Sequence, residues 1–220
     1  MQGIYDGPAT FAEVRKYGDF GLGTVNHLDG EMIGLEGVFY QVTSDGTVHV
    51  LPDHAKTSFA TVSFFQGEHS ARTPKLTSLK AIQHWLDRHL GSANFFWSVA
   101  IHGTFSFMKV RSVSRQHPPY RPLTEVVKSE ALFRYHGVVG TLLGFRSPSY
   151  IKGINVPGYH LHFLSDDKTM GGHVLGCSLT EGISRWDSHR TFQMCLPDEP
   201  VFGRADFSTH DEEGLQKAEQ

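Results

Sequence analysis

Several common features are missing from this 220-residue chain, and each absence excludes a class of protein. Two cysteines, Cys177 and Cys195, are too few for a disulfide framework. They suit a reducing cytoplasm and read as a pair of buried thiols. No stretch approaches the roughly 18 consecutive apolar residues that a spanning helix needs, so no membrane partner is expected. Lysine plus arginine number 20 against 23 aspartate plus glutamate, giving a formal net charge of −3 with no basic stripe. Nucleic acid is therefore not an expected partner. The opening Met1-Gln2-Gly3-Ile4-Tyr5-Asp6 has no basic or apolar segment of a secretory signal, so a cytoplasmic location is expected.

The chain is rich instead in histidine, with 14, and phenylalanine, with 16. Apolar residues make up 39% and charged residues 20%, enough to bury a core without cross-links. The expectation is one catalytic domain over 1–220, with two sheet lobes at about 1–115 and 116–220 sharing one core.

Three segments read as helix. Residues 8–16 open on Pro8 and stop before Gly18; residues 76–90 place Leu76, Leu79, Ile82, Leu86 and Leu90 on one face; residues 122–133 open on Pro122. A short charged helix is expected over 211–219. Most of the remainder reads as strand: 32–43 and 48–51 around Ser44-Asp45-Gly46, then 60–65, 94–104, 105–113, 138–145, 159–164 and 172–181. Strands dominate and helices are few. The predicted class is α+β with mixed or antiparallel sheets.

The sharpest local signal is Gly158-Tyr159-His160-Leu161-His162-Phe163-Leu164. Alternate residues of a strand share a face, so His160 and His162 project together. A polar turn, Ser165-Asp166-Asp167-Lys168-Thr169, leads to Gly171-Gly172-His173-Val174-Leu175. A hairpin there returns His173 beside the first two. Three neutral imidazoles with an open fourth position describe a catalytic zinc site. An exposed His-x-His pair with an unrelated third histidine is the plainer alternative. The other histidines, among them His69, His84, His89 and His136, show no comparable grouping.

Gly21-Leu22-Gly23-Thr24 does not complete a dinucleotide fingerprint, because Asn26 takes the place of the last glycine, and no Walker lysine follows. Glu31 leads into a strand after Leu28-Asp29-Gly30, and a surface turn carboxylate is its plainer reading. Arg111 shares a strand face with Lys109, which points outward for both unless an anion such as a substrate carboxylate meets the guanidinium.

Several of these stretches together resemble the acetolactate decarboxylase family. They are Gly21-Leu22-Gly23-Thr24 with Leu28-Asp29-Gly30-Glu31, Gly37-Val38-Phe39-Tyr40-Gln41, Arg111-Ser112-Val113 through Gln116, Pro118-Pro119-Tyr120 and Pro122-Leu123. Gly144-Phe145, Ser147-Pro148 and the two histidine stretches follow in the same order. Ser114 stands where the family commonly has proline. The resemblance implies zinc on His160, His162 and His173, catalytic roles for Glu31 and Arg111, and a glutamate near the carboxyl terminus. Glu219 is the choice for the last, with Glu212 and Glu213 as rivals. It further implies a duplicated βαβ-type arrangement, a homodimer, and conversion of 2-acetolactate to acetoin and carbon dioxide. In that reaction the metal would polarise the keto and hydroxyl oxygens and stabilise an ene-diolate. A cupin-type metal enzyme is the rival reading, from Gly153, His160 and His162. Its spacing is off by one, and Asp166 stands where a glutamate belongs. A non-catalytic metal-binding module is the third.

Overall fold

The computed structural model describes residues 3–198 and 200–206. The expected helix over 211–219 lies outside them, as do Glu212, Glu213 and Glu219. The chain forms two compact units: 1–64 with 112–131 and 192–220, and 65–111 with 132–191.

The first unit is built on a five-stranded antiparallel sheet in the order β4-β3-β2-β1-β5. Its strands are β1 (Phe20–Thr24), β2 (Glu31–Leu35), β3 (Val38–Val42), β4 (Val48–Val50) and β5 (Phe59–Ser63). The Gly21-Leu22-Gly23 run is a strand because β5 passes against it. A Cβ on Gly21 would stand 2.2 Å from the Thr61 carbonyl oxygen, and one on Gly23 2.2 Å from that of Phe59. The run expected as one strand over 32–43 is a hairpin, turning at Glu36 and Gly37 with φ of 53° and 76°. Two consecutive left-handed residues match the twist of the flanking strands. The helix expected over 8–16 is only α1 (Phe11–Val14), because Thr10 caps it in a reciprocal box with Glu13. Phe11 and Val14 pack with Met32, Phe39 and Leu51 beneath the sheet.

The second unit holds a six-stranded sheet in the order β6-β11-β10-β9-β7-β8. Its strands are β6 (His69–Thr73), β7 (Phe96–Ser112), β8 (Ala131–Tyr135), β9 (Val138–Ser147), β10 (Gly158–Ser165) and β11 (Gly171–His189). The long strands β7 and β11 also pair with each other, so β7, β9, β10 and β11 close a circuit of antiparallel ladders. Helix α2 (Leu79–Asp87), capped by Ser78, buries Ile82, Trp85 and Leu86 against Trp97, Val99, Ile101 and Trp186. Complete burial of a side chain such as Ile82 or Leu86 stabilises the unit by about 2 kcal/mol each. The helix expected over 122–133 ends early. α3 (Leu123–Val126) passes through one 3-10 turn, and residues 131–135 then form β8 with alternating burial. A further short helix, α4, covers Pro200–Gly203. The observed class is α+β with antiparallel sheets, as expected.

Of the two cysteines, Cys177 is buried and its thiol is pushed up to about 12 by that burial, whereas Cys195 is exposed. The expected pair of buried thiols is therefore half right.

Candidate metal centre and neighbouring residues

Main-chain register assembles the histidines. His160 and His162 lie two apart on β10, and the β10–β11 pairing sets His162 directly opposite His173. In the intervening turn the Ser165 hydroxyl donates to Asp167 Oδ1 at 2.6 Å and accepts from the Met170 N–H at 3.0 Å, which fixes the return. The ring centroids are 5.2 Å apart for His160 and His162, 4.9 Å for His160 and His173, and 5.3 Å for His162 and His173. One donor nitrogen from each ring lies within 4.8 Å of the others. His160, His162 and His173 are 8%, 0% and 1% exposed, so the plainer reading of a surface pair does not hold.

The donor set suits a metal ion. His173 Nδ1 and His160 Nε2 are 3.2 Å apart. Two nitrogens each about 2.05 Å from one ion at a tetrahedral angle would be about 3.3 Å apart. Ligation also requires neutral imidazole. Burial, reinforced by the charge of Arg111, pulls His160 down to about 3, so its ring is neutral at ordinary pH.

Arg111 ends the inward approach of β7 and pairs with His173 on β11. It is 4% exposed, which corrects the outward-facing alternative. Alternation along β7 put Lys109 and Arg111 on one face but could not reveal that the face is covered at its end. Gly172 lets the two strands meet. Its φ is +137°, and a Cβ there would stand 2.5 Å from the Arg111 carbonyl oxygen. Glu31 opens β2 in the first unit, pairs with Thr24 and Val42, and is 7% exposed. The reading of Glu31 as a surface turn carboxylate is corrected by that burial. His160, His162, His173 and Arg111 all belong to the second unit. One polar cluster that sequence spacing did not single out joins Asp6, His27 and Tyr120. It draws on three separate stretches, so no local periodicity announces it.

The fold and the cluster define an α+β protein with a buried histidine group able to hold a metal ion. The profile of the alpha-acetolactate decarboxylase family matches residues 1–209, and the chain belongs to that family. It is thus an enzyme of the carboxy-lyase class. It is 40% identical over 220 residues to the alpha-acetolactate decarboxylase of Methanosarcina mazei, spanning 100% of this chain and 76% of that one. Against the Methylococcus capsulatus protein of the same name the identity is 42% over 219 residues, covering 100% and 84%. The crystal structure of alpha-acetolactate decarboxylase from Bacillus subtilis strain 168 superposes with a TM-score of 0.96 at 34% identity, covering 99% of this chain and 93% of that one. The cupin-type reading falls with this membership. Among the described residues, no helix is long and apolar enough to cross a membrane.

Proposed function

We propose that the chain converts 2-acetolactate to acetoin and carbon dioxide, using zinc held by His160, His162 and His173, as a single catalytic domain that forms a cytoplasmic homodimer. The observation that carries the reading is the convergence of three buried imidazoles on one point, in a member of this family. Zinc held by His160, His162 and His173 would supply a Lewis acid to the substrate. The remaining work falls to the chain. Arg111, buried beside the imidazoles, presents a planar fork that a carboxylate accepts through two hydrogen bonds, which orients the bond to be broken. Carbon dioxide leaves without the electron pair of that bond, which moves toward the adjacent ketone. A proton must then reach carbon. Arg111 stays protonated and is a poor donor, so Glu31 is assigned the proton handling, together with Glu219. Burial of the site removes competing water and strengthens each electrostatic contact.

The test is to add racemic acetolactate to the purified protein and follow acetoin colour, with and without prior chelation. Acetoin formed by the untreated protein, lost after chelation and restored by zinc supports the reading. Metal bound with no acetoin formed overturns it in favour of a binding module.

A further inference from the structure

Immediately before Glu31 the backbone does something unusual. His27 and Leu28, neither of them glycine, both take left-handed conformations, with φ of 67° and 52°. L-residues occupy that region at a cost and persist there only when their surroundings over-determine them. The surroundings of His27 do so. Its N–H donates to the Tyr5 carbonyl oxygen at 2.7 Å, and its own carbonyl oxygen accepts from the Gln116 N–H at 2.7 Å. The side chain is held as well, with Nδ1 2.6 Å from the Tyr120 hydroxyl oxygen and 3.0 Å from Asp6 Oδ1. The Tyr120 hydroxyl donates to the Asp6 carboxylate at 3.0 and 2.9 Å. The Tyr120 hydroxyl thus stands between Asp6 and His27 Nδ1 and closes the triangle. Burial and Asp6 push the Tyr120 phenol up to about 12, so it remains a donor.

From there the chain has little freedom. Leu28 is buried among Tyr5, Val113, Leu123 and Val126. The Asp29 carbonyl oxygen accepts from Gln41 Nε2 at 2.7 Å, the Gly30 N–H donates to Val113, and the Gly30 carbonyl oxygen accepts from Thr24 Oγ1 at 2.6 Å. Glu31 is the next residue.

We infer that Asp6 and Tyr120, acting through His27, are positioning residues that hold the left-handed turn delivering Glu31 to its place. The three act on Glu31 through the backbone. The inference rests on the proposed role of Glu31 but can be read without turnover. The Glu31 carboxyl carbon, identified by its loss in Glu31→Gln, can be titrated by carbon-13 NMR in each variant.

His27→Ala keeps the backbone penalty and removes the triangle. It should shift the Glu31 resonance and lower kcat about 10-fold with KM little changed, since displacement of a reacting group by a fraction of an ångström has effects of this order. His27→Gly also removes the triangle, but glycine takes φ near +67° freely, so it should recover most of the loss. Tyr120→Phe keeps the ring packed against Tyr5, 5.2 Å between centroids, and tests the hydroxyl alone if the alanine variant folds poorly. It should lower kcat about 3-fold and shift the same resonance. An alanine variant with an unmoved Glu31 resonance and unchanged kcat overturns the inference. So does a glycine variant as impaired as the alanine one, or a Tyr120→Phe protein identical to the parent. Failure of the parent protein to form acetoin sinks the proposed reaction instead and leaves the resonance shifts to decide the positioning role.

Discussion

In the six-stranded sheet, His160, His162 and His173 owe their positions to ladder hydrogen bonds. His162 faces His173 across β10–β11, and β11 faces Arg111 across β7. In the five-stranded sheet, Glu31 is paired on both sides as well, but the chain enters its strand through His27 and Leu28, whose left-handed backbone is held by side-chain contacts together with main-chain hydrogen bonds. The imidazoles are placed by topology, while the glutamate is placed by topology plus a local device. Features of the first kind are insensitive to single surface changes. Those of the second kind can be adjusted or lost through one hydroxyl.

The largest expected effect comes from the ladder-held group. His162→Ala removes the most buried of the three nitrogen donors. Turnover should fall by at least about 1000-fold, because an open Lewis-acid position cannot be rebuilt from two ligands. Elemental analysis should show well under one zinc per chain while circular dichroism stays that of the parent; full metal content would break the comparison at its firmer side. Glu31→Gln should have an intermediate effect, lowering kcat about 100-fold, within the range of a lost general acid or base. Metal content should be unchanged. A variant that loses its metal would mean Glu31 serves the histidine group and not the proton.

The smallest effect is on stability against pH. His160 sits at about 3 in the folded chain, against an ordinary value of 6.5. Between those values the unfolded chain binds a proton that the folded chain refuses. The stability present above pH 6.5 therefore declines as pH falls toward 3. Thermal melts of metal-free protein at pH 7.5 and 5.0 should show the lower Tm at pH 5.0, and the His160→Gln protein should lose much of that difference. Equal sensitivity in both would assign it to other groups.

How much of this was legible in the sequence depended on the range of the forces involved. The histidine hairpin was readable because two-residue alternation and a polar turn are local. The same holds for α2, whose apolar stripe and Ser78 cap lie within one segment. Residues 131–133 read as helix because short apolar runs fit either period, and only packing of Phe133 and Tyr135 on the core selects strand over 131–135. The turn at Glu36-Gly37 lacks the usual Asn or Asp. Burial of Arg111 is decided by distant chain, and so is the tight approach of β1 to β5 that explains the glycines first weighed as a phosphate loop. Membership of the decarboxylase family was readable from several short stretches agreeing in order. The strained entry to Glu31 was not, because nothing in the letters His27-Leu28 states a dihedral angle.

The closed circuit of β7, β9, β10 and β11 also governs how the second unit comes apart. A protease or a rising denaturant attacks exposed margins, and within this unit β6 and β8 are the margins of the strand order. The ladders bearing the imidazoles have no loose end to unzip. Damage can strip the periphery first, while the histidine cradle outlasts it and fails in one step.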